Sequence, residues 1–215
     1  MNIPLEKRLK KRAHIDVGLL QDEVTEVLYS LENRLVFHGG TAVWRCYGGN
    51  RFSEDLDFYC SDATKVEEGL KERLEARGLN VDKFKKTGNL IFCKVSGADM
   101  QVRVEINFSS KPAPPVAKPF EKIDGSFMSV LTLSPEDLIL EKCDAYANRL
   151  FVRDIYDIFH LSNFVKGEPK AKQRVLLLLK SIKPPVDEKN LKAIVYSGNI
   201  PSFKQMVEFL QGRFA

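Results

Sequence analysis

The sequence contains no Cys-x-x-Cys pair. Its four cysteines, Cys46, Cys60, Cys93 and Cys143, stand far apart. That spacing argues against a thiolate zinc site or a disulfide framework and for reduced thiols in a cytosolic protein. The three histidines, His14, His38 and His160, are equally scattered. No apolar run approaches the ~20 residues of a membrane-spanning helix, and the basic N-terminal run is not followed by the apolar core of a signal peptide. The expected compartment is therefore the cytoplasm. Internal repeats and low-complexity tracts are missing too, which sets aside solenoid and disordered classes. Excess charge is nearly missing: the net charge is +4, and residues 1–12 carry five basic side chains (Lys7, Arg8, Lys10, Lys11 and Arg12) against Glu6, which accounts for all of it. Such an arm can grip nucleic acid phosphates or serve as a solvated helical turn.

What is present is ordinary in bulk. A chain of 215 residues, 44% hydrophobic and 29% charged, forms one large domain or two small ones with a sizeable core. The informative stretch runs from Phe37 to Tyr59. Gly39-Gly40 closes a short apolar run and opens a helical pattern, and Asp55-Leu56-Asp57 follows, leading into Phe58-Tyr59. On a strand, Asp55 and Asp57 share one face while Leu56 and Phe58 point into a core. Adjacent carboxylates repel, and a divalent cation with hard oxygen ligands, such as Mg²⁺, relieves them. A helix start exposes unpaired N–H groups to phosphate, and glycine permits close approach. A phosphate cradle followed by a metal-binding strand equips a chain for nucleoside triphosphate (NTP) chemistry.

The remaining pattern alternates between helix and strand. Helices are expected over residues 15–32, 41–47 and 64–77, and strands over 34–37, 80–86, 90–95, 101–108 and 127–132, with a proline-rich loop at 111–126 between the last two. In the third of the run of strands from Asn80, Val102, Val104, Ile106 and Phe108 alternate with Arg103, Glu105 and Asn107. Glu105 thus falls on the polar face, where it can complete a two-metal site with Asp55 and Asp57 or pair with Arg103. From Ser134 the texture is helical. Ser134 is placed as N-cap with Pro135 at the first helical position, and helices are expected to about Asn148 and over 153–163, 169–182, 187–196 and 202–210. Lys142 lies mid-helix, and Asp154 and Asp157 share a face of the next helix. Lys142 can reach a triphosphate with an aspartate orienting it, or it can pair with Asp154 for packing alone. The domain boundary is set at Thr132 to Ser134, giving an α/β (α+β) core over 1–132 and a helical domain over 133–215, with the active site between them.

The run Gly39-Gly40-Thr41-Ala42, followed by Arg51-Phe52-Ser53-Glu54-Asp55-Leu56-Asp57-Phe58, resembles the signature of the AbiEii-type nucleotidyltransferases. These belong to the DNA polymerase β-like nucleotidyltransferase superfamily, and many are toxins of toxin–antitoxin pairs. Lys142 to Asp157 resembles that family's second motif, a lysine followed by an Arg-Asp-x-x-Asp helix. The resemblance implies a nucleotidyltransferase fold, with a mixed sheet and flanking helices followed by a C-terminal helical domain. It implies a Mg²⁺-dependent transferase with two metal ions. Asp55, Asp57 and Glu105 would be metal ligands, and Gly39, Gly40, Thr41, Ser53, Lys142 and Asp154 would face the NTP. Where the family often has aspartate, this chain has Glu105. The implied acceptor is RNA, at a tRNA 3′ end, and the implied partner is an antitoxin protein. A nucleotide- or partner-binding module without catalysis and a metal-dependent nuclease share parts of this pattern. Three clustered carboxylates argue against the first, and the glycine turn argues against the second.

Overall fold

The computed structural model describes residues 3–108, 113–166 and 169–215; Lys111 and Pro112 of the expected loop lie outside them. Seven strands form one mixed sheet: β1 (Val36–His38), β2 (Leu56–Tyr59), β3 (Asn80–Lys86), β4 (Leu90–Gly97), β5 (Met100–Asn107), β6 (Val116–Glu121) and β7 (Phe127–Thr132). Their order across the sheet is β3-β4-β5-β2-β1-β7-β6. β2 runs parallel to β5 and β1 parallel to β7, while the other neighbours are antiparallel. The helices of this half are α1 (Leu5–Arg8), α2 (Arg12–Leu31), α3 (Gly39–Cys46) and α4 (Thr64–Glu75).

Period-two alternation makes the sheet two-faced. Leu56 and Phe58 of β2, Cys93 and Val95 of β4, and Val102, Val104 and Ile106 of β5 are buried. They join Val24 and Leu28 of α2 and Val66 and Leu70 of α4 in one apolar cluster. Fully burying a side chain such as Phe58 contributes about 1.5–3 kcal/mol. The opposite face of β2 and β5 therefore carries the polar residues of the same strands, Asp57 and Glu105 among them. The outer strand β3 is largely exposed and carries Lys83, Lys85 and Lys86. Lysines on an edge discourage pairing with another chain.

The C-terminal part is helical: α5 (Pro135–Arg149), α6 (Val152–Leu161), α7 (Pro169–Lys180), α8 (Leu191–Ile194) and α9 (Phe203–Phe214). Ser134 caps α5 as expected, its Oγ accepting from the Asp137 amide at 3.1 Å with Pro135 in the first turn. A second apolar cluster, including Leu138, Ile155, Val175 and Leu210, holds these helices together and takes in Val43 and Tyr47 from α3 and its C-cap.

Two expectations need correction. The segment expected to be loop through 126 contains β6, an edge strand paired with β7. Pro119 is tolerated there because one side of an edge strand needs no donor. Residues 187–196 are not one helix. A 3-10 turn over Glu188–Asn190 precedes the four-residue α8, and Val195 then extends to form an antiparallel bridge with Arg51. Tyr196 is drawn into a third cluster with Trp44, Phe52 and Leu5, so tertiary burial overrides the helical pattern. The basic arm forms a helical turn, α1, with Lys7, Lys10, Lys11 and Arg12 exposed. Leu5 and Leu9 are buried, Arg8 pairs with Glu121, Arg12 pairs with Asp16, and Lys11 donates to the Ala193 carbonyl at 2.9 Å.

Candidate active site

The loop before β2 is fixed from three directions. Gln21 of α2 donates through Nε2 to the carbonyls of Ser53 and Glu54, both at 2.9 Å. Thr41 Oγ1 donates to the Asp55 carbonyl at 2.5 Å. Arg51, buried to 3% exposure, makes a bidentate pair with Asp157 of α6, both N···O distances being 2.5 Å. Bidentate pairing fixes direction as well as distance. Thr41 is fully buried, so its hydroxyl positions the Asp55 strand entry and does not line the cleft.

Register then assembles the carboxylates. Asp57 on β2 is the direct partner of Glu105 on parallel β5, so both side chains leave the same face. Asp55 stands two residues before Asp57. Its carboxylate accepts from Arg103, whose Nε also lies 3.4 Å from Glu105. The pairing with Arg103 read as one alternative for Glu105 is present, though loose, and Glu105 also flanks Asp57 on the neighbouring strand. Among the described residues no three His, Cys, Asp or Glu side chains converge tightly enough for a ready metal site, and Asp55 is turned toward Arg103. Burial pushes the Asp57 carboxyl above its ordinary value; the His38 charge opposes the shift, and Asp55 and Glu105 add to it. The donor set consists of hard oxygens with excess negative charge, which suits a divalent cation.

The glycine turn closes against these residues. Gly39 begins α3 with φ +75°, and a Cβ there would collide with the Asp57 carboxylate. A Cβ at Gly40 would stand 2.6 Å from Ser53 Oγ and about as near Arg51. A side chain at Gly39 is excluded by both conformation and contact, one at Gly40 would have to displace Arg51 and Ser53, and the helix start meets the acidic strand at van der Waals range.

A cleft of about 410 Å³ joins these elements to α5 and α6. Gly39, Gly40, Ser53, Asp55, Asp57 and Lys142 all line it. Lys142 is 5% exposed, with Nζ 2.8 Å from Asp157 and 3.6 Å from Asp154. Asp157, not Asp154, is thus its closer partner. Burial alone would raise the Asp157 carboxyl, but Arg51 and Lys142 outweigh it and hold Asp157 below its ordinary value. Asp154 is fully buried beneath a bidentate pair from Arg149 at 2.7 and 2.8 Å. It reaches the cleft only through Lys142 and Arg149.

Sequence reasoning passed over a second constellation in the cleft. His38 stacks flat on Tyr59, with ring centroids 3.8 Å apart at 9°. Both hold Glu141 of α5: His38 Nδ1 lies 3.2 Å from Oε2, and the Tyr59 hydroxyl donates to Oε1 at 2.7 Å. Burial would raise Glu141, yet His38, Tyr59 and Lys142 together keep it below its ordinary value. Arg149 and Arg153 also line the cleft. The only local signal for the His38 group was its position directly before Gly39-Gly40.

Residues 25–202 match the family described as nucleotidyl transferase AbiEii toxin of a type IV TA system. In three dimensions the chain is similar to the crystal structure of JHP933 from Helicobacter pylori, with a TM-score of 0.67, 18% identity, and coverage of 95% of this chain and 91% of that one. It is similar also to a second H. pylori crystal structure, of a protein provisionally described as a nucleotidyltransferase, with a TM-score of 0.66, 18% identity, and coverage of 95% and 94%. At such identity these likenesses establish the fold. No curated protein matches the sequence. Among the described residues, no helix is long and apolar enough to cross a membrane.

Proposed function

This chain belongs to the AbiEii family of nucleotidyltransferase toxins, and on that premise we propose that it moves a nucleoside monophosphate from an NTP to an RNA hydroxyl with the help of Mg²⁺. The observation that carries the reading is the registered pair Asp57 and Glu105, with Asp55 beside them, set against the Gly39-Gly40 turn, whose Gly39 leaves no room for a side chain beside Asp57. Asp55, Asp57 and Glu105 would hold the metal, two ions by the logic of paired phosphoryl-transfer sites. Bound Mg²⁺ would neutralise charge on the attacked phosphate and on the leaving pyrophosphate.

The chain's own residues supply position and proton transfer. Gly39 and Gly40 let the triphosphate approach the start of α3, with Ser53 facing Gly40 across the cleft. Lys142 extends from the helical part, residues 133–215, toward the phosphates, and Asp154 and Asp157 orient its ammonium. The acceptor oxygen forms a bond to the α-phosphorus while the bond to the bridging oxygen breaks, and pyrophosphate departs. The Glu105 carboxylate takes the acceptor's proton. The expected acceptor is a tRNA 3′ end, supported by a modest basic excess from Pro135 onward, 13 Lys and Arg against 10 Asp and Glu. An antitoxin protein is the expected partner.

Titration calorimetry with each of the four NTPs, with and without Mg²⁺, tests the donor half. Wild type binds in a Mg²⁺-dependent way, and an Asp55→Ala/Asp57→Ala double variant does not; equal affinity in both would end the proposal. For the acceptor half, the protein is incubated with total RNA, Mg²⁺ and each labelled NTP, and label is expected in the RNA fraction. Label confined to protein or to a small molecule would overturn the RNA acceptor and leave nucleotidyl transfer standing.

A further inference from the structure

The cleft continues past Asp55. A second cavity of about 340 Å³ opens there, sharing Arg51, Ser53, Asp55 and Arg153 with the first and walled otherwise by residues such as Phe151, Asp187 and Glu54. The glycine turn and Lys142 line only the first cavity. In an in-line displacement the attacking and leaving oxygens lie on opposite sides of the phosphorus. If the triphosphate lies along Gly39, Gly40 and Lys142, the attacking hydroxyl arrives from the side of the second cavity.

The wall of that cavity is built for a base and a phosphate. Leu150 takes a left-handed conformation, φ +54°, which ends α5 and turns the chain so that Phe151 caps α6. The Val152 amide donates to Asp187 Oδ1 at 2.7 Å, which ties this turn to the segment leading to α8. Phe151 belongs to none of the three apolar clusters and is only partly buried, so core packing does not account for it. Two guanidinium groups approach its ring, Arg149 at 5.4 Å and Arg153 at 5.5 Å from the centroid. Arg149 is committed to Asp154. Arg153 has no carboxylate partner among the described residues, yet lines both cavities. An aromatic ring for stacking beside an uncompensated cation is the pairing by which single-stranded nucleic acid is held. Asp187 and Glu54 add carboxylates of the kind that accept hydrogen bonds from ribose hydroxyls. The volume suits a single nucleotide, and the two acids would repel a longer backbone threaded through the cavity.

We infer that this second cavity seats the 3′-terminal nucleotide of an RNA acceptor, its base on Phe151 and its phosphate at Arg153. The inference rests on the nucleotidyltransferase reading and adds to it the place where the acceptor docks. The test uses the full chain and a short fluorescent single-stranded oligoribonucleotide with a free 3′ hydroxyl, followed by anisotropy, with NTP affinity measured in parallel by calorimetry. Phe151→Leu should weaken RNA binding about tenfold, within the range for loss of one stacked base, and leave NTP affinity unchanged. Phe151→Trp should keep RNA affinity. Arg153→Gln should weaken RNA binding and lower its salt slope by about one. Equal RNA affinity in Phe151→Leu and wild type would overturn the inference, as would parallel loss of NTP affinity, which would assign Phe151 to the donor site. A wild type that fails to bind this RNA would overturn it as well. RNA binding that depends on Phe151 in a protein that binds no NTP would sink the transferase reading and leave the RNA site in place.

Discussion

Two groups of acidic residues lie at or behind one cleft and are treated in opposite ways; of their members only Asp55 and Asp57 line it. Asp154 and Asp157 of α6 are fully buried and saturated with cations: Arg51 and Lys142 on Asp157, Arg149 and more distantly Lys142 on Asp154. Asp55, Asp57 and Glu105 are partly open; among the described residues their one ion-pair partner is the half-exposed Arg103, on Asp55 and Glu105, while His38 and Lys142 act on Asp57 from farther off. One member of each group shows the contrast: Asp157 is held below its ordinary value by Arg51 and Lys142, and Asp57 is pushed above it by burial. The saturated group ties the loop before β2 to the helical half. The other retains negative charge that the protein's own cations do not balance, which is the property expected where a cation and a charged substrate are meant to arrive.

The largest expected effect that would sharpen the contrast is on chemistry alone. Glu105→Gln keeps size and hydrogen bonding, and it should reduce transfer by about 10²–10⁴-fold, the usual span for lost proton transfer. Its melting temperature should stay near wild type. Retained activity with a large loss of melting temperature would place Glu105 with the structural group.

Next comes stability alone. Asp157→Ala leaves the Arg51 guanidinium buried without its partner, and breaking such a pair costs roughly 3–5 kcal/mol. A denaturant melt should show a loss of that order. Lys142 straddles the two groups: Lys142→Ala should weaken NTP binding and also lower stability, while Lys142→Arg should recover only part of the binding, because a guanidinium does not reproduce a compact ammonium. Unchanged NTP affinity in both variants would make Lys142 purely structural.

A smaller, pH-dependent effect follows from the opposite signs. The carboxyl of Asp57 is raised in the fold, so its contribution to stability is full below the ordinary value of 3.8 and is lost as the pH rises through the raised value. For Asp157 the reverse holds: its contribution is present above 3.8 and is lost as the pH falls through the lowered value. In metal-free buffer, Asp57→Asn should therefore melt above wild type at neutral pH, and the gap should close on acidification. A gap independent of pH would show that Asp57 is not strained by its charge. Smallest of all is Arg103→Gln. An exposed pair of this kind contributes under ~1 kcal/mol, so stability should barely move, while half-saturation with Mg²⁺ should shift by a few-fold as Asp55 and Glu105 lose a competing cation.

Much of the acidic strand was readable because short periods encode it. The alternation of Val102, Val104 and Ile106 with Arg103 and Glu105 placed Glu105 on the right face, and Leu56 and Phe58 did the same for Asp57. Local chemistry also gave the cap at Ser134 and the glycines at the start of α3. The saturated group was only half readable. The Lys142 pairing was anticipated with the wrong leading partner, and Arg51–Asp157 was not anticipated, because those residues lie 106 positions apart with no periodicity linking them. His38 and Glu141 are similarly separated, by 103 positions. Strand β6 was hidden by Pro119 within it and the prolines just before it; an edge position tolerates the breaking tendency of Pro119. Residues 187–196 misled because burial of Tyr196 and the bridge at Val195 outweighed a plausible helical period.

That bridge also has a consequence in time. Arg51 lies in the first quarter of the chain, yet its ion pair needs Asp157 and its backbone partner is Val195. The Phe52 amide likewise waits for the Ile194 carbonyl, and the Tyr196 amide closes onto Asn50. During synthesis, a nascent chain that has not yet exposed residue 196 holds Asp55, Asp57 and Glu105 but not the clasp that sets Asp55. Until residues 194–196 have emerged and docked, the loop before β2 therefore lacks the backbone partners of Asn50, Arg51 and Phe52.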